Sequence, residues 1–177
     1  SIDYSYDFVA DDGKLTAGKP AQAIEDRIAQ VTQEAYDNGD YIFVAMDRHD
    51  EGDTFHPETK LFPPHNIVGT SGRELYGKLA GVYDAIKDDN RVFWMDKRHY
   101  SAFSGTDLDI RLRERRVTTV ILTGVLTDIC VLHTAIDAYN LGYDIEVVAS
   151  ATASLTSEAH DFAIGHFKNV LGATIVE

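Results

Sequence analysis

The 177-residue chain has a single cysteine, Cys130, so no internal disulfide can form. That economy points to a reducing, cytoplasmic setting. No apolar run approaches the ~20 residues that a membrane-spanning helix needs. No secretory leader pattern opens the chain. Basic residues are also scarce: 16 Lys and Arg stand against 29 Asp and Glu, a net charge of −13. A field of that sign repels phosphate backbones and anionic lipid, which argues against nucleic acid and membrane as main partners but identifies no substrate, because a surface field says little about one small pocket. Apolar residues, at 44%, are ample for a buried core. We find no repeat, linker or low-complexity segment, so residues 1–177 read as one domain. Ser1-Ile2-Asp3-Tyr4 reads as a strand already under way, so we expect further residues before Ser1, and Glu177 need not be the natural end.

What is present is an alternation. Candidate strands cover residues 1–5, Tyr41–Met46, Arg91–Met95, Val117–Thr123, Ile145–Ala149 and Ala173–Val176. They are nearly continuous apolar runs, as expected of parallel strands covered on both faces. Between the first two, Ile24, Ile28, Val31 and Ala35 recur at helical spacing, with Pro20 suited to a first turn and Gly39 to a stop. Leu75, Leu79, Val82 and Ile86 repeat the pattern. Further helices are expected near Thr106, from about Asp128 to Leu141, and from about Ser157 to Leu171. The implied architecture is a three-layer α/β/α sandwich around a doubly wound, mainly parallel, six-stranded sheet. Ligands in such sheets bind beyond the carboxyl ends of the strands, so those residues carry the functional reading.

Four strand ends hold reactive groups: Asp3, then Asp47 and His49, then Asp96 and Lys97, then Gly124 to Cys130. A lone Asp or Lys in a loop is ordinarily a solvated charge, but four matched sets at successive strand ends form a pattern. Cys130 is the natural nucleophile. It follows Thr127 and Asp128, either of which could cap a helix whose N-terminus would favour thiolate and offer N–H groups to an oxyanion. A buried structural thiol is the bland alternative. His133, one turn beyond, could pair with Cys130, but a side chain there lies along the helix flank. Asp3 and Lys97 can reach the sulfur from the pocket side.

A second set has metal-ligand chemistry. Asp47 and His49 stand two apart, and Glu58 and His65 follow in a proline-rich loop, with His56 as a rival ligand. Two imidazoles with one or two carboxylates suit zinc, iron or manganese. Phe8, Trp94 and Tyr100 flank these positions and could stack on a flat substrate, though core packing explains each equally well. His99 could contact substrate, whereas His160 and His166 read as partly packed surface residues of the last helix.

Taken in order, these stretches resemble the nicotinamidases of the isochorismatase-like cysteine hydrolases. The matching segments are Ile2-Asp3-Tyr4 with Asp7-Phe8, Asp47-Arg48-His49, Phe62-Pro63-Pro64-His65 with Gly69-Thr70-Ser71-Gly72, Lys97 with Tyr100-Ser101-Ala102-Phe103, and Gly124 through Cys130. The resemblance spans nearly the whole chain. It implies hydrolysis of nicotinamide to nicotinate and ammonia through a cysteine thioester. It further implies a triad of Asp3, Lys97 and Cys130, and one divalent metal, zinc foremost, on Asp47, His49 and His65. Glu58 matches a further ligand of some members. A cis Val125–Leu126 peptide is implied, with the Leu126 and Cys130 N–H groups as oxyanion hole. A homo-oligomer is expected. Asn66 departs from the cysteine that many relatives carry there.

Overall fold

The computed structural model describes residues 1–177. The N-terminal segment passes into α1 (Tyr6–Val9), α2 (Lys19–Ala23) and α3 (Glu25–Asp37). Strand β1 (Ile42–Asp47) follows, then 3-10 turns at Pro57–Lys60 and Ser71–Arg73, α4 (Gly77–Ile86) and β2 (Val92–Lys97). Helix α5 (Leu108–Glu114) leads to β3 (Thr119–Val125), a π turn at Thr127–Val131, and α6 (Leu132–Asn140). The chain ends with β4 (Asp144–Ala153), α7 (Ser157–Asn169) and β5 (Thr174–Val176). No helix is long and apolar enough to cross a membrane.

All strand pairings are parallel, β1 with β2 and β3 with β4 and β5. The two groups are joined by Ile2, which bridges Ala45 of β1 and Gly124 of β3. The order across the sheet is therefore β2, β1, the Ile2 segment, β3, β4, β5. The expected first strand, residues 1–5, shrinks to this one bridge. Asp3 adopts φ +55, which turns the chain out of the sheet toward α1. Where the segment crosses β3, a side chain at position 124 would come within 2.0 Å of the Ile2 carbonyl, so only glycine fits.

Alternation along the strands splits the apolar residues between two cores of 18 and 17 buried residues, which is why the strands read as unbroken apolar runs. Ile42, Val44 and Met46 join Ile28 of α3 and Leu79 of α4 on one face. Ala45, Met95 and Leu122 join Leu112, Ala135 and Phe167, from α5, α6 and α7, on the other. The expected helix between Pro20 and Gly39 is broken at Ile24 into α2 and α3. Strands β1 and β2 run one and two residues further than expected, so Asp47 and Lys97 sit on regular strand backbone, directly paired in register. β2 is separated from the Ile2 segment by β1.

Candidate active site

The carboxyl ends of β1, β2 and β3 converge with the Ile2 segment on one buried polar group. Asp3 and Lys97 are each only 1% exposed. The Lys97 ammonium lies 2.7 Å from Asp3 Oδ2, 3.6 Å from Asp47 Oδ1 and 3.8 Å from Cys130 Sγ. It also donates to the His99 carbonyl at 3.1 Å. The Asp3 carboxylate accepts the Asp47 N–H at 2.8 Å and faces the Cys130 thiol. Burial alone would discharge Lys97, but Asp3, Cys130 and Asp47 outweigh it and hold the ammonium firmly protonated. Burial pushes Asp3 up to about 6, against the pull of Lys97.

Cys130 behaves differently from the reading of a dipole-activated thiolate. Burial drives its pKa well above the ordinary thiol value, with Lys97 only partly opposing. Thr127 and Asp128 do not cap the turn either: Thr127 pairs with His160 Nδ1 at 2.9 Å, and Asp128 accepts from the Ser154 hydroxyl at 2.6 Å. The chain after β3 is a π turn that runs on into α6, and within it burial favours the thiol form of Cys130, which faces the Asp3 carboxylate. The Val125–Leu126 peptide is cis. The Leu126 N–H has no acceptor within the protein. His133 Nδ1 is hydrogen-bonded to the Ile129 carbonyl at 2.8 Å, on the exposed helix flank.

Beside the triad, Asp47, His49, Glu58 and His65 offer four ligand atoms within 4.8 Å of one another, all on buried residues. Asp47 Oδ2 is 2.8 Å from His49 Nε2 and 3.4 Å from His65 Nε2, and Glu58 Oε2 is 3.5 Å from the latter. Burial disfavours charge on His65, yet the two carboxylates push it up to about 10. Asp47 Oδ1 and His65 Nε2 are buried without a hydrogen bond. Buried acids with unpaired ligand atoms and a proton drawn onto imidazole are the donor set of a divalent cation, and the residues fit one. His56 stands aside: its Nδ1 accepts the Glu58 N–H at 3.2 Å and its Nε2 meets the Arg98 carbonyl at 2.6 Å, so it shapes the loop. Asn66, at φ +45, carries His65 into place, accepting the His49 N–H on its carbonyl and donating its own N–H to Asp7.

Phe8 lies with its ring centroid 5.3 Å from that of His65, and Tyr100 is tilted against His133 with centroids 5.2 Å apart. Trp94 does not belong with them. Alternation along β2 sends Lys97 to one face of the sheet and Trp94 to the other, where it packs on Tyr83 of α4 and donates to Asp96. Phe62 was missed as a site residue. It stands edge-on to His65 at 6.2 Å and, with Glu58 and Pro63, lines a cleft of about 150 Å³ at the cation ligands. Its place in Phe62-Pro63-Pro64-His65 was the available signal.

The sheet order and the acid, lysine and thiol at its carboxyl edge define a hydrolase of α/β/α type. The chain belongs to the isochorismatase domain family, whose model matches residues 1–176. It is similar to the pyrazinamidase/nicotinamidase of Streptococcus mutans UA159, at 80% identity over 99% of this chain and 97% of that one, with a TM-score of 0.99. The nicotinamidase/pyrazinamidase PncA of Bacillus subtilis is 53% identical over 99% and 96%, with a TM-score of 0.98. The pyrazinamidase of Pyrococcus horikoshii, solved in complex with zinc, is 26% identical over 99% and 96%, with a TM-score of 0.84.

Proposed function

We propose that this protein is a nicotinamidase, hydrolysing nicotinamide to nicotinate and ammonia through a thioester on Cys130. The observation that carries the reading is a buried thiol flanked by a carboxylate and an ammonium, next to a ready donor set for a cation. Asp3, which titrates near 6, accepts the thiol proton as Cys130 Sγ attacks the amide carbon. Lys97 stabilises the negative charge so formed, and the Leu126 and Cys130 N–H groups receive the oxyanion. Asp3 then returns the proton to the departing ammonia, leaving the acyl group on sulfur. A water molecule, deprotonated by Asp3, attacks the thioester, and nicotinate and the free thiol result. Phe8, Tyr100 and Phe62 supply flat apolar walls for the ring.

Asp47, His49, Glu58 and His65 would hold one divalent cation, zinc foremost, which when bound supplies Lewis acidity toward a ring nitrogen or a water. The zinc-bound pyrazinamidase relative supports that choice. A cysteine nucleophile suits the reducing cytoplasm. The test is ammonia release from nicotinamide, with Cys130→Ala as control. Turnover is expected in the wild type, and its loss in a folded Cys130→Ala protein. If that variant kept a tenth of wild-type release, covalent catalysis by Cys130 would be wrong.

A further inference from the structure

Asp47 belongs to both halves of the site, through its N–H on Asp3 and its carboxylate between Lys97 and the two imidazoles. Its carbonyl is held from outside. Arg73, at the end of the 3-10 turn Ser71–Arg73, donates Nε to the Asp47 carbonyl at 2.9 Å and Nη2 to Asp96 Oδ1 at 2.5 Å. Asp96 immediately precedes Lys97 and points to the opposite face of the sheet. Its carboxylate also accepts Trp94 Nε1 at 2.9 Å and lies 3.2 Å from Arg48 Nη1. The turn that presents Arg73 is itself fixed. Gly72 is pressed so close to Asp7 that any Cβ there would meet its carboxylate at 2.2 Å. The Arg73 side chain is only 13% exposed, so this is not a mobile surface pair.

We propose that Arg73 is a positioning residue: it grips the ends of β1 and β2 together and so sets the Asp47 carboxylate and the Lys97 ammonium at their working separation. It touches neither substrate nor cation. Two separated N–H groups meeting two acceptors on adjacent strands is a task for a guanidinium, since a lysine ammonium is a single point of contact. The inference rests on the reading of Asp47 as a cation ligand and Lys97 as the partner of the thiol.

The experiment uses Arg73→Lys, Arg73→Ala and Asp96→Asn, each freed of metal by a chelator and titrated with cobalt(II), with the visible spectrum and thermal midpoint recorded. Nicotinamide hydrolysis is then measured at saturating cobalt. Groups that orient ligands from behind typically cost about 10- to 100-fold in metal affinity when removed, and both Arg73 variants are expected in that range. Their visible bands shift and their kcat falls while KM holds. Asp96→Asn, which keeps the Asp47 contact, loses less. Arg73→Lys with wild-type cobalt affinity, spectrum and kcat overturns the proposal. So does a lower thermal midpoint alone, which would mark Arg73 as a stabilising clamp and nothing more. If Arg73→Ala does not fold, Arg73→Lys and Asp96→Asn decide. Failure of the wild type to bind cobalt overturns the ligand reading of Asp47, and the clamp with it.

Discussion

The Asp3–Lys97–Cys130 cluster and the candidate cation site share Asp47 yet are built in different ways. Around Cys130 a fixed cation is built into the chain: the Lys97 ammonium stands between the carboxylates of Asp3 and Asp47, and all three come from strand backbone or its immediate extension. Around His65, the buried carboxylates of Asp47 and Glu58 face two imidazoles, and the loop that carries Glu58 and His65 is held by Asn66, Asp7 and His56. The first region is complete as folded. In the second, the Asp47 and Glu58 carboxylates push His65 up to about 10 against its burial, an arrangement that could equally receive a divalent cation. Where the cation is a side chain, its place is set by folding, whereas a cluster of carboxylates and imidazoles can exchange a proton for a metal ion.

Disrupting the first region has the largest expected effect. Asp3→Asn takes away the proton acceptor and should lower kcat by about three orders of magnitude, measured as ammonia release. It also deprives a fully buried ammonium of its nearest anion. The cost to stability is therefore about 3 kcal/mol by chemical denaturation, more than the amide's shape alone would suggest. Activity near wild type in Asp3→Asn would break the distinction between the regions, because the carboxylate would then serve charge balance only.

Emptying and refilling the second region comes next. A chelator should abolish turnover and zinc should restore it, with elemental analysis giving one ion per chain. Because His65 holds its proton up to about 10 without a cation, binding near neutral pH should release about one proton, seen as a buffer-dependent heat in calorimetry. Affinity accordingly rises with pH. Zinc binding without proton release would show that the imidazole is not the group the cation displaces.

A smaller effect lies in pH. Asp3, raised to about 6, must be ionised to take the thiol proton, so kcat/KM should fall as pH drops through about 6. The apparent value belongs to the coupled cluster rather than to one carboxyl. A profile flat from pH 7 to 5 would contradict the assignment. The least effect is expected from the aromatic residues. Phe8→Ala should raise KM for nicotinamide by about tenfold, while Trp94→Phe, across the sheet, leaves it within about twofold. Equal effects would mean that Trp94 is not set apart from the site by the sheet.

Much of this protein was legible from its sequence alone. The apolar periodicities place most of the helices and five of the strands, and Cys130, Asp47, His49, Glu58 and His65 stand out because nucleophile and ligand chemistry gathers at or after successive strand ends. These features are local: a strand or helix is set by the spacing of residues that must be buried, and spacing is written in the chain. The tertiary structure alone decided what depends on distant segments meeting. It set the sheet order that puts β1 between β2 and the Ile2 segment, and the alternation that sends Lys97 inward and Trp94 away. It made the stretch after β3 a π turn in which Thr127 and Asp128 turn to His160 and Ser154 instead of capping a helix. It also buries Cys130 among neighbours far along the chain, and that burial pushes the thiol pKa up, against the help expected from the local turn. Arg73 carries no motif of its own, and its two acceptors, Asp47 and Asp96, come together only when β1 and β2 pair.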